Sequence, residues 1–275
     1  MKKAKIQSVI VGVDFSKYSK IVELQARALA DLLRVPLVFV YVSQELGTSS
    51  WASGKKRKHL VNLYTTKIKM KYSITESETL LIKNGRAYSE LISVSKDYPS
   101  PLIVVGFRGD HGAASRFFLG STAERLALHS PFPVWIQRGQ TVCLPKNILI
   151  PTDFSARSRN TIEGAKKLGV NSMAITLHHV FQPPMVPLTA KDAAMLTQEI
   201  RASNARELDR FRRKYASFSV AETRSSNIVG EINKVSKSFD AIAISPRDHG
   251  GLAPSFGSVT SKLVRSTEKA LLVIP

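Results

Sequence analysis

The sequence predicts an α/β protein built from two tandem Rossmann-like units, each a parallel sheet with helices on both faces. Three observations carry the prediction. VIVGVDFS at 9–16 returns as ILIPTDFS at 148–155, an offset of 139 residues. Further matched segments follow in the same order at offsets from 137 to 141. Inside each copy, short apolar runs alternate with stretches whose apolar residues recur at helical spacing, the signature of strand–helix–strand units. A chain of 275 residues divides comfortably into two units of about 140 residues, here 1–141 and 142–275.

In the first unit, 8–13 is a continuous apolar run, as expected of a strand covered on both faces. The stretch 16–33 places Ile21, Leu24, Ala28, Leu29 and Leu32 at helical spacing. Pro36 opens a second strand at 37–42. A basic helix follows at about 55–72, with Leu60, Tyr64, Ile68 and Tyr72 at intervals of four. Then come a strand at 79–82, a helix at 88–96, a strand at 102–105, a glycine-rich loop, a helix at 121–128 and a closing strand at 134–136. The second unit repeats the order. Its long helix, about 190–215, aligns Leu196, Ile200, Leu208, Phe211 and Tyr215. The later matches include 85–106 with 228–245, RGDHG at 108–112 with PRDHG at 246–250, and FLGST at 118–122 with SFGSV at 255–259.

Composition narrows the function classes. Hydrophobic residues make up 43% of the chain, ordinary for a globular protein. No apolar run reaches the ~18 residues of a membrane span, and the short run after Lys2-Lys3 meets Asp14 without a small-residue cleavage site. A cytoplasmic protein is expected. One cysteine, Cys143, excludes an internal disulfide and a cysteine-cluster metal site. Forty basic residues against 21 acidic give +19. The excess is shared between the halves, +11 and +8. Such a field favours phosphate-bearing partners, whether nucleotides, nucleic acid or anionic membranes, without choosing among them.

Ligands of open α/β sheets bind beyond the carboxyl ends of the strands, at the switch point of the topology. In the first unit Asp14 ends strand one, Val42 lies at the end of strand two, and VVGFRGDHGAASRFFLGST at 104–122 follows strand four. Glycines at 106, 109, 112 and 120 let backbone approach a ligand closely. Gly120-Ser121-Thr122 enters a helix whose free N–H groups favour an anion. Together these parts suit a nucleotide. Each has a plainer reading: Asp14 or Ser16 as helix cap, the loop as a tight turn. No G-x-x-x-x-G-K-[ST] loop is present.

V-D-F-S after strand one, G-x-x-G after strand four, G-S-T before the last helix and HSPFPV at 129–134 resemble the universal stress protein family, in its tandem form with two domains in one chain. The resemblance spans both halves. It implies an adenine-nucleotide-α-hydrolase-like fold: five parallel strands in order 3-2-1-4-5, and units paired through their fifth strands as an internal pseudo-dimer. It also implies ATP, with Mg²⁺ on its phosphates, as ligand of the members that bind one. Carried over residue by residue, Val13, Asp14 and Val42 would surround adenosine, and Gly106, Arg108, Gly109, Gly120, Ser121 and Thr122 the phosphates. The family loop reads G-x-x-G, nine residues, then G-[ST]; here ten residues separate Gly109 from Gly120. In the second unit Asp153, Val180 and Gly257-Ser258 are retained, but Ser245 replaces the first loop glycine. Nucleotide is therefore expected mainly in the first unit.

The expected function is a nucleotide-responsive stress-response module, with at most slow ATP hydrolysis. The alternative is a nucleotide-free stress protein whose basic surface docks a polyanion or a partner protein. That surface would draw on Lys55–Lys58 and on Arg201, Arg206, Arg210, Arg212, Arg213 and Lys214. Assembly of the pseudo-dimer into a further homodimer stays open. Asp110-His111 and Asp248-His249 recur as pairs, but adjacent residues seldom face one another and no nucleophile accompanies them. His178-His179 ends the second strand of the second unit, and alternation directs one ring to each face.

Overall fold

The computed structural model describes residues 5–43, 54–107, 119–166, 168, 173–182, 190–246 and 256–275. The first unit runs β1 (Ser8–Val13), α1 (Ser19–Leu33), β2 (Leu37–Ser43), α2 (Gly54–Tyr72), β3 (Thr79–Asn84), α3 (Ala87–Ser95), β4 (Pro101–Gly106), α4 (Ser121–His129) and β5 (Val134–Gln137). The second repeats it as β6 (Asn147–Pro151), α5 (Ala156–Lys166), β7 (Ala174–Phe181), α6 (Ala190–Lys214), β8 (Ser219–Arg224), α7 (Ile228–Ser236), β9 (Ala241–Ile244), α8 (Ser258–Ser266) and β10 (Ala270–Val273).

All ten strands form one sheet, in order β3-β2-β1-β4-β5-β10-β9-β6-β7-β8. Each half therefore carries the 3-2-1-4-5 order that the resemblance implies. Neighbours within a unit run parallel, while β5 and β10 meet antiparallel, with Leu272 opposite Trp135. The apolar strand runs explain this architecture. Alternate residues of β1 face opposite layers, Val9 and Val11 joining one hydrophobic cluster and Ile10 the other. Both clusters draw residues from both units, so each core layer passes through the junction.

Side chains lace the junction. Trp135 is fully buried and its indole N–H donates to Gln137 Oε1 at 3.0 Å. Arg138, also buried, donates to the carbonyls of Val264 and Thr267 at the end of α8. Gln25 on α1 grips the connecting segment with both ends of its amide: Nε2 donates to the Cys143 carbonyl at 2.7 Å and Oε1 accepts the Cys143 N–H at 2.8 Å.

Two sequence expectations change in detail. The first helix begins at Ser19 rather than 16, because residues 14–18 are held in a turn. Its buried stripe is Val22, Glu23, Gln25, Ala26, Leu29 and Ala30, whereas Leu24 is exposed. Polar side chains occupy that face because each has a partner. Gln25 holds the connection, and Glu23 pairs with Lys20 at 2.8 Å and with Arg27. On α2 and α6 the predicted stripes survive at Ile68, Tyr72, Leu208, Phe211 and Tyr215, all buried.

Candidate functional site

The parallel pairing of β1 with β2 and β4 brings the carboxyl ends of these strands to one sheet edge. In the first unit the backbone at Asp14 is fixed from several sides. Its N–H donates to Ser19 Oγ at 3.0 Å, and its carbonyl accepts from the Tyr72 hydroxyl and from Lys71 Nζ at 3.4 Å. Burial pushes the Tyr72 hydroxyl up to about 12, so it stays a donor. Asp14 Oδ1 accepts the Ser16 N–H at 2.9 Å, a turn of the kind aspartate forms with backbone two residues on. This carboxylate shapes the turn and does not cap α1, whose N-cap residue is Tyr18. The Asp14 side chain is exposed.

Val13 is buried, and Val42 packs half-buried against the α3–α4 core layer. Gly106 closes β4 opposite Gln137. Gly120 is tied back to that strand end, its N–H donating to the Phe107 carbonyl at 2.8 Å. Gly120 is the N-cap of α4 and no side chain caps the helix, so Ser121, exposed, and Thr122, half-buried, begin it with open amides. Asp14, Val42, Gly106 and Gly120–Thr122 thus meet at one edge. Arg108 and Gly109 lie outside the described residues, as do Arg116, Phe117 and both Asp-His pairs. Phe107 is buried in the core, with the Arg138 guanidinium 3.3 Å above its ring centroid.

Sequence reasoning passed over an aromatic group beside Asp14. Phe15, Tyr41 and Tyr64 pack against one another, edge-on or tilted, with ring centroids 5.1–6.3 Å apart, and Lys71 lies over Phe15. The available signal was Phe15 next to Asp14 and Tyr41 next to Val42.

In the second unit the same edge holds a cleft of about 270 Å³. Asp153 Oδ1 accepts the Ser155 N–H at 3.0 Å and the Ser158 hydroxyl at 2.8 Å. Burial alone would raise this carboxyl, but the bonds from Ser155 and Ser158 outweigh it and hold the group below the usual carboxylate range. Ser245, in place of the loop glycine, turns its hydroxyl to the Ile274 carbonyl at 2.7 Å and accepts from Thr161 Oγ1 at 3.0 Å. Its Oγ is engaged by the protein, although the residue still lines the cleft.

The profile of the Universal stress protein family matches residues 5–138 and again 145–275. The chain belongs to the universal stress protein family. As a universal stress protein of tandem form it also shares its fold with solved structures. A functionally unknown protein from Pseudomonas aeruginosa PAO1, PA1789, aligns over 98% of this chain and 92% of its own, at 13% identity and TM-score 0.69. A universal stress protein from Archaeoglobus fulgidus aligns over 97% of both chains, at 18% identity and TM-score 0.62. A universal stress protein solved in complex with cAMP aligns over 50% of this chain at 20% identity and TM-score 0.36; the ligand is a property of that protein. Comparison with curated protein sequences gives no match. Among the described residues, no helix is long and apolar enough to cross a membrane, and no group of three or more His, Cys, Asp or Glu is placed to hold a metal ion.

Proposed function

We propose that this tandem universal stress protein is a cytoplasmic, nucleotide-responsive regulatory module that takes ATP mainly in its first unit, with the units divided at residues 141 and 142. The observation that carries the reading is the start of α4. Its amides have no side-chain cap, and Gly120 ties them to the end of β4. A helix N-terminus presented at a sheet edge favours phosphate oxygens. In this reading Val13, Asp14 and Val42 hold adenosine, and Gly106, Gly120, Ser121 and Thr122 the phosphates. Arg108 and Gly109 complete the loop, Arg108 supplying a charge-assisted contact. The phosphates bring negative charge to a strongly basic protein, and Mg²⁺ would arrive on them. Occupancy changes the loop that joins β4 to α4, and with it the surface offered to partners. Hydrolysis, in this reading, is at most slow.

Calorimetric titration of the whole chain with ATP and Mg²⁺ tests the reading. Saturable binding is expected, and the Asp14→Ala, Gly120→Trp double variant should lose it. Absence of heat at millimolar nucleotide overturns it.

The second reading, polyanion docking, draws on one observation. Arg201, Arg206, Arg210, Arg212, Arg213 and Lys214 are all exposed on α6. Two of them are partly neutralised, Arg210 by Glu207 at 2.7 Å and Arg212 by Asp209 at 3.7 Å. Binding to nonspecific DNA that weakens steeply with salt supports this reading; a flat response returns the charge to solubility.

A further inference from the structure

The positive charge of the protein is unevenly laid out, and α2 is where it is least balanced. Its sequence, GKKRKHLVNLYTTKIKMKY, holds seven lysines and arginines and no acidic residue. The counterpart α6 interleaves its bases with Asp192, Glu199, Glu207 and Asp209, and two of its arginines are paired with them. On α2, Lys55 and Lys58 stand three residues apart and Lys67 and Lys71 four, spacings at which like charges oppose a helix. The core does not require this composition, since Ile68 and Tyr72 are the only buried residues among the described side chains of the helix. A local conflict that packing leaves unexplained is expected where function demands it.

The outward face of α2 is not purely polar. His59, Leu63, Thr66 and Met70 recur at intervals of three and four and are all exposed, so they form one stripe down the helix. Met70 is 77% exposed and Leu63 38%. Lys67 falls four residues after Leu63 and three before Met70, and so lies beside both. Lys67, Arg57 and Lys58 are exposed and form no ion pair among the described residues. Two further lysines are engaged: Lys69 pairs with Glu76 at 2.9 Å, and Lys71 donates to the Ser16 carbonyl at 3.3 Å. On the neighbouring α1, the exposed Asp31 is followed three residues on by the exposed Arg34.

Nucleic acid and an anionic bilayer both carry the charge density that would answer this helix. The apolar side chains between the cations decide between them. A phosphodiester backbone offers Leu63 and Met70 no apolar environment, and the exposed stripe holds no Phe, Tyr or Trp on which a base could stack. At a bilayer interface the same arrangement is favourable. Lysine and arginine stems lie along the apolar boundary with their charges among the headgroups, while apolar side chains on the same face enter it.

We propose that α2 docks the protein on an anionic lipid bilayer, with Arg57, Lys58 and Lys67 among the phosphate headgroups and Leu63 and Met70 in the interface. With only two apolar side chains, the attachment is led by electrostatics and is therefore reversible and salt-sensitive. This assignment rests neither on nucleotide binding in the first unit nor on DNA binding through α6.

The test mixes the whole chain with vesicles of equal parts phosphatidylglycerol and phosphatidylcholine, and separately with vesicles of phosphatidylcholine, and reads the bound fraction by flotation over a series of salt concentrations. Binding to the anionic vesicles alone, weakening as salt rises, is expected. Lys58→Ala combined with Lys67→Ala should lower vesicle affinity about 25-fold, at about fivefold per charge near the surface. Met70→Ser should lower it severalfold and leave the salt dependence unchanged, since it removes apolar area and no charge. Arg206→Ala combined with Arg213→Ala, on α6, should leave vesicle binding unaltered, and nonspecific duplex DNA is titrated against every variant in parallel. If a variant fails to fold, a polarity-sensitive fluorophore attached through Met70→Cys, in a Cys143→Ser background, reads the same contact as a blue shift on anionic vesicles. The proposal is overturned if neutral and anionic vesicles bind alike, if the double lysine variant binds vesicles as the unmodified protein does, or if the fluorophore does not shift. It is also overturned if the lysine pair lowers DNA binding and the vesicles do not bind, which would make α2 a nucleic-acid surface.

Discussion

At the carboxyl edge of the sheet, the two units keep the same turn, the strand-two valine and the Gly-Ser helix entry, and differ at three positions around them. Asp14 and Asp153 each direct Oδ1 to the N–H two residues on, and each donates its own N–H to a serine hydroxyl on the following helix. Around that shared turn, Gly106 faces Ser245, Val40 faces His178, and Tyr41 faces His179. A turn that feeds strand into helix is required by the fold and so is retained in both. The strand-end side chains differ between the units even where they are buried, as Val40 and His178 both are. The pair therefore separates what the fold demands from what a ligand demands.

The link between the units should give the largest effect. Arg138→Ala removes a guanidinium that serves two carbonyls at the end of α8 and stacks on Phe107. Hydrogen bonds from charged groups contribute about 1.5–3 kcal/mol each, and buried carbonyls left unpaired add to the cost. A loss of about 3 kcal/mol or more in urea unfolding is expected. A loss below about 1 kcal/mol would mean that the junction rests on the β5–β10 pairing alone.

A second contrast lies at equivalent positions of α1 and α5, Gln25 and Gly164. A Cβ on Gly164 would sit 2.2 Å from Ile274 Cγ2, so Gly164→Ala should destabilise by about 1–3 kcal/mol through overpacking. Gln25→Ala should instead free the connecting segment at Cys143, seen as faster amide exchange there.

Acid should act on the units unequally. The folded-state pKa of His178 lies below its ordinary 6.5 because the ring is buried. The unfolded chain therefore binds the proton more readily, and the stability associated with a neutral His178 is complete above pH 6.5 and lost as pH falls below it. Val40 in the first unit has no such dependence. His178→Val should flatten the stability profile just below pH 6.5, measured by urea unfolding at a series of pH values. An unchanged slope would assign the acid sensitivity to other groups.

The smallest effect is expected at the shared turn. Asp153 Oδ1 accepts two bonds and Asp14 Oδ1 one, so Asp153→Ala should cost about 1–2 kcal/mol and Asp14→Ala about half as much. Equal costs would show that the extra Ser158 bond contributes nothing. The depressed carboxyl of Asp153 adds a sign: its contribution is present above the ordinary carboxylate pKa and disappears as pH falls through the lower folded value.

The duplication, the element order and the strand cores were legible in the chain itself. Continuous apolar runs such as 8–13 have little choice but to become buried strands, and the repeat doubles the signal. Helix stripes were less legible. Leu24 falls on the expected stripe and lies exposed, while Glu23 and Gln25 fall outside it and lie buried, Gln25 because its partner Cys143 reaches it only on folding. Among the candidate site residues, the strand-end positions Asp14, Val42 and Gly106 and the helix entry at Gly120–Thr122 lie at one edge of the sheet, because the parallel pairing of β1, β2 and β4 brings their carboxyl ends together. The aromatic group at Phe15, Tyr41 and Tyr64 was missed, since no spacing in sequence links three residues on three elements.

By itself, then, the sequence determined a duplicated α/β chain with phosphate-compatible glycines concentrated in its first copy. Local pattern suffices for this, because strand burial, helix period and glycine freedom are properties of neighbouring residues. Only the tertiary structure decided that the units share one sheet and two continuous core layers, that Ser245 turns its hydroxyl to the protein, and that His178 and His179 both line the second unit's cleft. Those outcomes depend on which groups from distant segments arrive beside one another. Hydrogen-bond satisfaction is settled by that arrival and by nothing in the local sequence.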